Sequence, residues 1–298
     1  MYPRVKEKAE VGKVNVAVEA HNVEIDGLSI RYLAAGEGPP LVLLHGAGDN
    51  SLDWRWVMPT LAATHRVYAL DLPGSPDSAR PAADYSPAFF GRFAAGFLDA
   101  LGIGRATLVG NSLGGLIALR LALSEPARVR ALVLVDSAGL GRAVNLAFTS
   151  VNIPGLGEAA MPFWRTPIGA HQRAWGRTVL LFAHPPRSVP REWFTEQRRL
   201  AQSPGYLEAH LSVLRALVRP LGQREVLVER LPSLKVPTFV VWGARDRVFP
   251  ESHAREAVAR LREGSLAVIP GCGHMPHVEC PDRFLATLDG FLLKWLRR

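Results

Sequence analysis

The stretch that most constrains this chain is Val109-Gly110-Asn111-Ser112-Leu113-Gly114-Gly115. Four β-formers, Ala106 to Val109, lead into it, and a helical pattern from Leu116 to Leu123 leads out. A strand that turns directly into a helix holds the turning residue in a strained, left-handed conformation. Side chains two residues to either side would collide there, so positions 110 and 114 require glycine. The turn exposes the Ser112 hydroxyl at a strand tip, with the Leu113 N–H directed toward whatever that oxygen attacks. A glycine-rich turn carrying an incidental serine is the alternative reading of the same residues.

The flanking chain repeats the strand–helix theme. Residues 23–34 alternate around Asp26-Gly27, a hairpin signal. Residues 40–44 form a continuous apolar run, as expected for a strand covered on both faces, and end in His45-Gly46-Ala47-Gly48. A second short buried strand, 66–70, ends at Asp71-Leu72-Pro73-Gly74, and a helical period covers 87–101. A further strand, 129–135, ends at Asp136-Ser137. The texture then changes. From 139 to 230 no buried-strand run occurs, and proline and glycine breaks separate amphipathic helices such as 192–202 and 207–217. Strands resume at 238–243 and 265–269, followed by helices at 251–262 and 281–296 respectively. This is an α/β pattern: a mostly parallel, doubly wound sheet built from residues 1–138 and 231–298, with a helical cap inserted at 139–230. In such sheets chemistry collects at the C-terminal strand ends, where His45, Asp71, Ser112 and Asp136 all fall.

Bulk properties remove other classes. The 298 residues carry a net charge of +8, but the arginines are spread along the chain and form no basic arm for nucleic acid or membrane. Charged residues interrupt each apolar run well short of spanning length, and residues 1–20 lack a continuous apolar signal core. The two cysteines, Cys272 and Cys280, are too few for a disulfide framework and lack metal-site spacing. They suggest a reducing, cytoplasmic setting. No phosphate-binding loop, dinucleotide fingerprint or metal cluster is present, so neither cofactor nor metal is expected. The expected partner is a small-molecule ester, with no nucleic acid or membrane and a homodimer left open.

A serine hydroxyl needs an adjacent base to become a nucleophile. His274 follows the 265–269 strand in a loop of small residues, Pro270-Gly271-Cys272-Gly273, which places it at the same sheet edge as Ser112. Asp246, after the preceding strand, supplies an acid to orient the imidazole, and the order Ser112, Asp246, His274 suits this turn motif. Asp136 is a competing acid, with helix capping as its other reading. The oxyanion of an attacked carbonyl needs two donors: Leu113 N–H is one, and Ala47 N–H leads Gly46 and Gly48 as the other. His45 orients its own loop. Met161, Phe163, Trp164, Trp175 and Phe182 either line a pocket under the insertion or form its core.

With these residues assembled, the chain from about 23 to 297 resembles an α/β-hydrolase with a helical cap. The resemblance rests on His45-Gly-Ala-Gly, Asp71-Leu-Pro-Gly, Gly110-Asn-Ser-Leu-Gly-Gly115, Gly243-Ala-Arg-Asp246 and Gly273-His274. It implies Ser112 as nucleophile, His274 as base and then acid, and Asp246 as the orienting carboxylate. Asn111 with Arg198 and Arg199 also resembles the serine hydrolases that cleave carbon–carbon bonds of aromatic ring-fission products. Gly48-Asp49-Asn50 and Met275 depart from the Gly-Pro-Gly segment and the tryptophan common in those enzymes. A serine nucleophile speaks against haloalkane dehalogenases and epoxide hydrolases. The leading expectation is carboxylic-ester hydrolysis, with Met275, Arg198 and Trp164 contacting substrate. Hydrolysis of vinylogous diketone acids is the alternative, and a ligand sensor on the same scaffold a third.

Overall fold

The computed structural model describes residues 16–296; most of the 1–20 stretch, read above as lacking an apolar signal core, lies outside them. The chain opens with strands β1 (Glu19–Ile25), β2 (Leu28–Ala35) and β3 (Pro40–Leu44), a short helix α1 (Met58–Leu61) and β4 (Arg66–Leu70). Then come α2 (Pro87–Ala100), β5 (Ala106–Asn111), α3 (Leu113–Ser124) and β6 (Val129–Val135). The chain next leaves the sheet for α4 (Leu146–Thr149), α5 (Leu156–Trp164), α6 (Pro167–Leu181), α7 (Arg191–Gln202) and α8 (Tyr206–Leu217). A small hairpin, β7 (Val218–Arg219) and β8 (Gly222–Gln223), brings it back. It closes with β9 (Thr238–Gly243), α9 (Ser252–Arg260), β10 (Gly264–Ile269), α10 (Pro276–Glu279) and α11 (Pro281–Leu296).

The main sheet has eight strands in the order β1-β2-β4-β3-β5-β6-β9-β10. Only β1–β2 and β2–β4 pair antiparallel; the rest are parallel. Asp26 and Gly27 both take positive φ, 51° and 75°, which matches the twist of a two-residue hairpin turn and fixes Ile25 opposite Leu28. The central strands read as unbroken apolar runs because both faces are covered. On β3, Val42 and Leu44 face the layer containing α2 and α3, while Leu41 and Leu43 face the layer containing α11. Met161, Ala170, Leu200, Ala201, Tyr206, Leu207 and Leu211 form a separate cluster within the inserted helices. Among the described residues no helix is long and apolar enough to cross a membrane.

One expectation is corrected. Cys272 and Cys280 are joined in a disulfide, with Cα atoms 6.3 Å apart. The chain between them turns through α10 and returns, a proximity that a cysteine count cannot anticipate. The bond removes the ground for inferring a reducing compartment.

Candidate active site

Ser112 sits at the turn from β5 into α3 with φ +53° and ψ −115°, the strained conformation required by the glycine spacing. A Cβ at Gly110 would lie 2.2 Å from the Gly114 carbonyl oxygen, and one at Gly114 2.1 Å from that of Leu44. Backbone therefore fills the space where either side chain would go, and the strand can pass straight into the helix.

His274 is buried in the loop after β10, and its Nδ1 lies 2.9 Å from Asp246 Oδ2. Asp246 is held by its own loop: Oδ1 accepts the Val248 N–H at 2.7 Å, leaving Oδ2 for the imidazole. His274 and Ser112 line one cavity. Asn111, beside the serine, donates through Nδ2 to the carbonyl of His274 at 3.0 Å and so ties the elbow to the histidine loop. The loop is also tied to the inserted helices. His274 N–H donates to Leu181 O at 2.8 Å, and the Glu279 carboxylate accepts from Ala183 N–H at 2.9 Å and Gly273 N–H at 2.6 Å.

Asp136, the competing acid, does not take the imidazole. It is fully buried at the end of β6 in a left-handed conformation, φ 43°, and its Oδ1 accepts the Gly243 N–H at 2.8 Å. Single polar atoms of Asp136, Asp246 and His274 all lie within 4.8 Å of one another. Burial first, and the Asp246 charge second, push the Asp136 carboxyl well above its usual range. Asp136 Oδ2 is buried and has no hydrogen-bond partner among the described residues.

His45 braces the opposite wall. Its Nδ1 lies 2.8 Å from Gly46 O, and its Nε2 accepts the Leu72 N–H at 3.0 Å, which assigns the proton to Nδ1. Burial lowers its pKa and keeps it neutral. The loop it braces carries Ala47, which lines the cavity with Ser112, while Leu113 lines an adjoining smaller cleft that also includes Ala47.

The main cavity encloses about 530 Å³ of empty space, part of it open to solvent. Its wall is chiefly apolar (Val144, Phe148, Leu181, Leu214, Leu217, Phe249); besides Ser112 and His274, the polar lining residues are Asp49, Asn111, Arg177 and Gln223. Arg177, on α6, donates from Nη2 to Asp49 Oδ1 at 2.7 Å, and Asp49 also accepts from Gln197 at 2.9 Å. The three substrate contacts read from sequence fall elsewhere. Met275 is buried in the main core, Trp164 packs on the cluster among the inserted helices, and Arg198 on α7 is not part of the cavity lining. Arg199 pairs with Asp77 and Glu196 at the surface. Arg177 carried no local sequence signal, being one of twelve arginines between 139 and 230. Phe163 and Trp175 neither line the cavity nor fill a core; both are exposed.

A parallel sheet whose central strand turns through a strained serine, opposite a histidine–carboxylate pair, defines the scaffold of an α/β hydrolase. The chain belongs to the α/β hydrolase fold family, which matches residues 39–281. It is 33% identical over 274 residues to 2-hydroxymuconate semialdehyde hydrolase of Pseudomonas sp. (strain CF600), covering 89% of this chain and 91% of that protein. Among solved structures it is similar to a bacterial membrane phospholipase A described as a virulence factor (TM-score 0.79, 29% identity, 93% of this chain and 86% of that one). It is also similar to a serine hydrolase involved in carbazole degradation (TM-score 0.77, 28% identity, 93% and 99%).

Proposed function

We propose that this chain hydrolyses carboxylic esters through an acyl-enzyme on Ser112. The observation that carries this reading is the shared cavity: a strained serine and a carboxylate-anchored imidazole open onto the same mostly apolar space. His274 takes the Ser112 proton as Oγ attacks the acyl carbonyl, and Asp246 stabilises the imidazolium through Nδ1–H. The Ala47 and Leu113 N–H groups hold the oxyanion. His274 then passes its proton to the leaving alcohol, and the acyl–oxygen bond breaks. In the second half, water gives a proton to His274, attacks the acyl-enzyme and releases the acid with Ser112 restored. The apolar lining favours small to medium apolar acyl groups. The test is turnover of p-nitrophenyl butyrate with fluorophosphonate labelling of the purified protein. Wild type should be labelled on Ser112 and turn over the ester, and Ser112→Ala should do neither. Labelling elsewhere, or equal turnover by the variant, refutes the reading.

A second reading, carbon–carbon hydrolysis of a vinylogous diketone acid, is supported by the 2-hydroxymuconate semialdehyde hydrolase relative and by Arg177. An arginine in the cavity wall can take a substrate carboxylate, a role expected from sequence at Arg198 or Arg199. Turnover of a dienoate ring-fission product that Arg177→Ala abolishes, with p-nitrophenyl ester turnover retained, would favour this reading over the first.

A further inference from the structure

Eight of the nine large apolar side chains exposed among the described residues lie between 139 and 230, and seven of them between 146 and 179. They form a surface and are not scattered. On α6, Ile168, Trp175 and Val179 stand at i, i+7 and i+11, one face of the helix. On α5, Leu156 and Phe163 stand seven apart in the same way. The two helices adjoin: Gly169 packs against the Phe163 carbonyl so tightly that a Cβ there would come within 1.9 Å of it. Arg247 links the ends of the surface. Its Nη1 donates to Val179 O at 2.7 Å, while its carbonyl accepts from Asn145 at the start of α4, next to Leu146, which is 78% exposed. Contiguous exposed apolar area of this kind marks an interaction site.

Charge selects the occupant. Residues 139–230 hold twelve arginines, six glutamates, and neither lysine nor aspartate, so most of the chain's net +8 belongs to this segment. A second copy would bring two like-charged surfaces together, which opposes self-association. An anionic surface is attracted instead. Arg247, exposed at the edge of the apolar face, has no acid partner among the described residues. Outward tryptophan, phenylalanine and leucine with arginine at the margin are what a helix lying in a lipid–water interface presents.

We propose that the outer face of α4, α5 and α6 docks on an anionic phospholipid surface. The sequence excludes a membrane arm because no single stretch is both apolar and basic; the surface exists only once α4, α5 and α6 are packed. α6 then presents two functions on opposite sides, since Arg177 and Leu181 line the cavity that holds Ser112. The docking proposal does not depend on the hydrolase reading, and an inactive protein tests it.

The experiment is co-sedimentation of the Ser112→Ala protein with vesicles of phosphatidylcholine containing 30% phosphatidylglycerol, against vesicles of phosphatidylcholine alone. The expected result is at least tenfold stronger partitioning to the anionic vesicles, weakened by salt. The double substitution Ile168→Ser, Trp175→Ser should lower it at least tenfold with unchanged thermal unfolding. In the otherwise wild-type background the same pair should leave turnover of a water-soluble ester unchanged. Equal binding by the double variant overturns the proposal. So does a wild-type dimer in sedimentation velocity that the double variant abolishes, with no vesicle binding by either, because the face would then be covered by a second copy.

Discussion

Asp136→Asn should make the protein more stable than wild type, by a margin that grows with pH. The wild-type carboxyl is fully buried, and its Oδ1 is engaged by the Gly243 N–H. Its polar atom lies within 4.8 Å of those of Asp246 and His274. Two negative charges at that separation repel by about 3.5 kcal/mol at an effective dielectric near 20, before any cost of dehydration. Asp136 therefore holds its proton to higher pH in the fold than in the unfolded chain, where it ionises near pH ~4. A carboxyl whose folded pKa is raised contributes its full stability below the unfolded value. It loses about 1.4 kcal/mol per pH unit as pH rises toward the folded value. Asparagine has no proton to lose. Its carbonyl still accepts from Gly243, and its amide adds no negative charge beside Asp246. Urea unfolding of both proteins at pH 5 and pH 7 measures the difference, from which other titrating groups cancel. The gap should widen by up to about 2.8 kcal/mol across those two units. Ester turnover should survive in Asp136→Asn, which keeps the acceptor for the Gly243 N–H, and fall in Asp136→Ala, which removes it. If the stability difference is the same at both pH values, Asp136 is ionised in the fold and the reasoning fails.

Three further outcomes are expected. His277 is fully buried, stacked on Trp54, and its pKa is lowered to about 3 by burial and then by His274. A base with a depressed folded pKa contributes stability above pH ~6.5 and loses it as pH falls toward the folded value. The loss approaches about 5 kcal/mol over that window, so His277→Leu should unfold in acid at a lower pH, as read by circular dichroism. Replacing both Cys272 and Cys280 by serine removes a cross-link spanning eight residues, worth about 2.5 kcal/mol by loop-closure entropy. Reductant should produce the same loss in wild type, and a denaturation curve indifferent to reductant would contradict it. Gly114→Ala should fail to accumulate as folded protein, because the new Cβ meets the Leu44 carbonyl at 2.1 Å; a soluble variant with a wild-type melting curve would show that the elbow can relax.

The sheet was legible because its chemistry is local. Strands β3, β5, β6 and β9 are covered on both faces and so read as apolar runs, and each ends at a residue whose backbone or side chain serves the site. The strained serine was legible for a similar reason: Gly110 answers a clash with backbone only four residues on, although Gly114 also makes room for the Leu44 carbonyl of β3. The cavity wall was not legible. Whether an arginine on an amphipathic helix faces inward, like Arg177, or pairs at the surface, like Arg199, depends on how the inserted helices pack on one another and on the sheet. The same holds for aromatics: Phe182 is buried and Trp175 exposed, although both follow apolar helical patterns. The disulfide was hidden because a separation of eight residues says nothing about the path of the chain between its ends.

The hydrogen bonds joining the histidine loop to the end of α6 bear on how such enzymes can be rebuilt. Leu181 O and the Ala183 N–H belong to the inserted helices and their exit, yet they meet His274 N–H and the Glu279 carboxylate. The insertion is therefore no interchangeable lid. A chimera that exchanged residues 139–230 for those of another family member would also exchange part of the mount of His274. Grafts meant to alter substrate choice should retain the segment from Leu181 to Ala183 together with Glu279. A graft lacking them should lose turnover on every substrate, however well its new pocket fits.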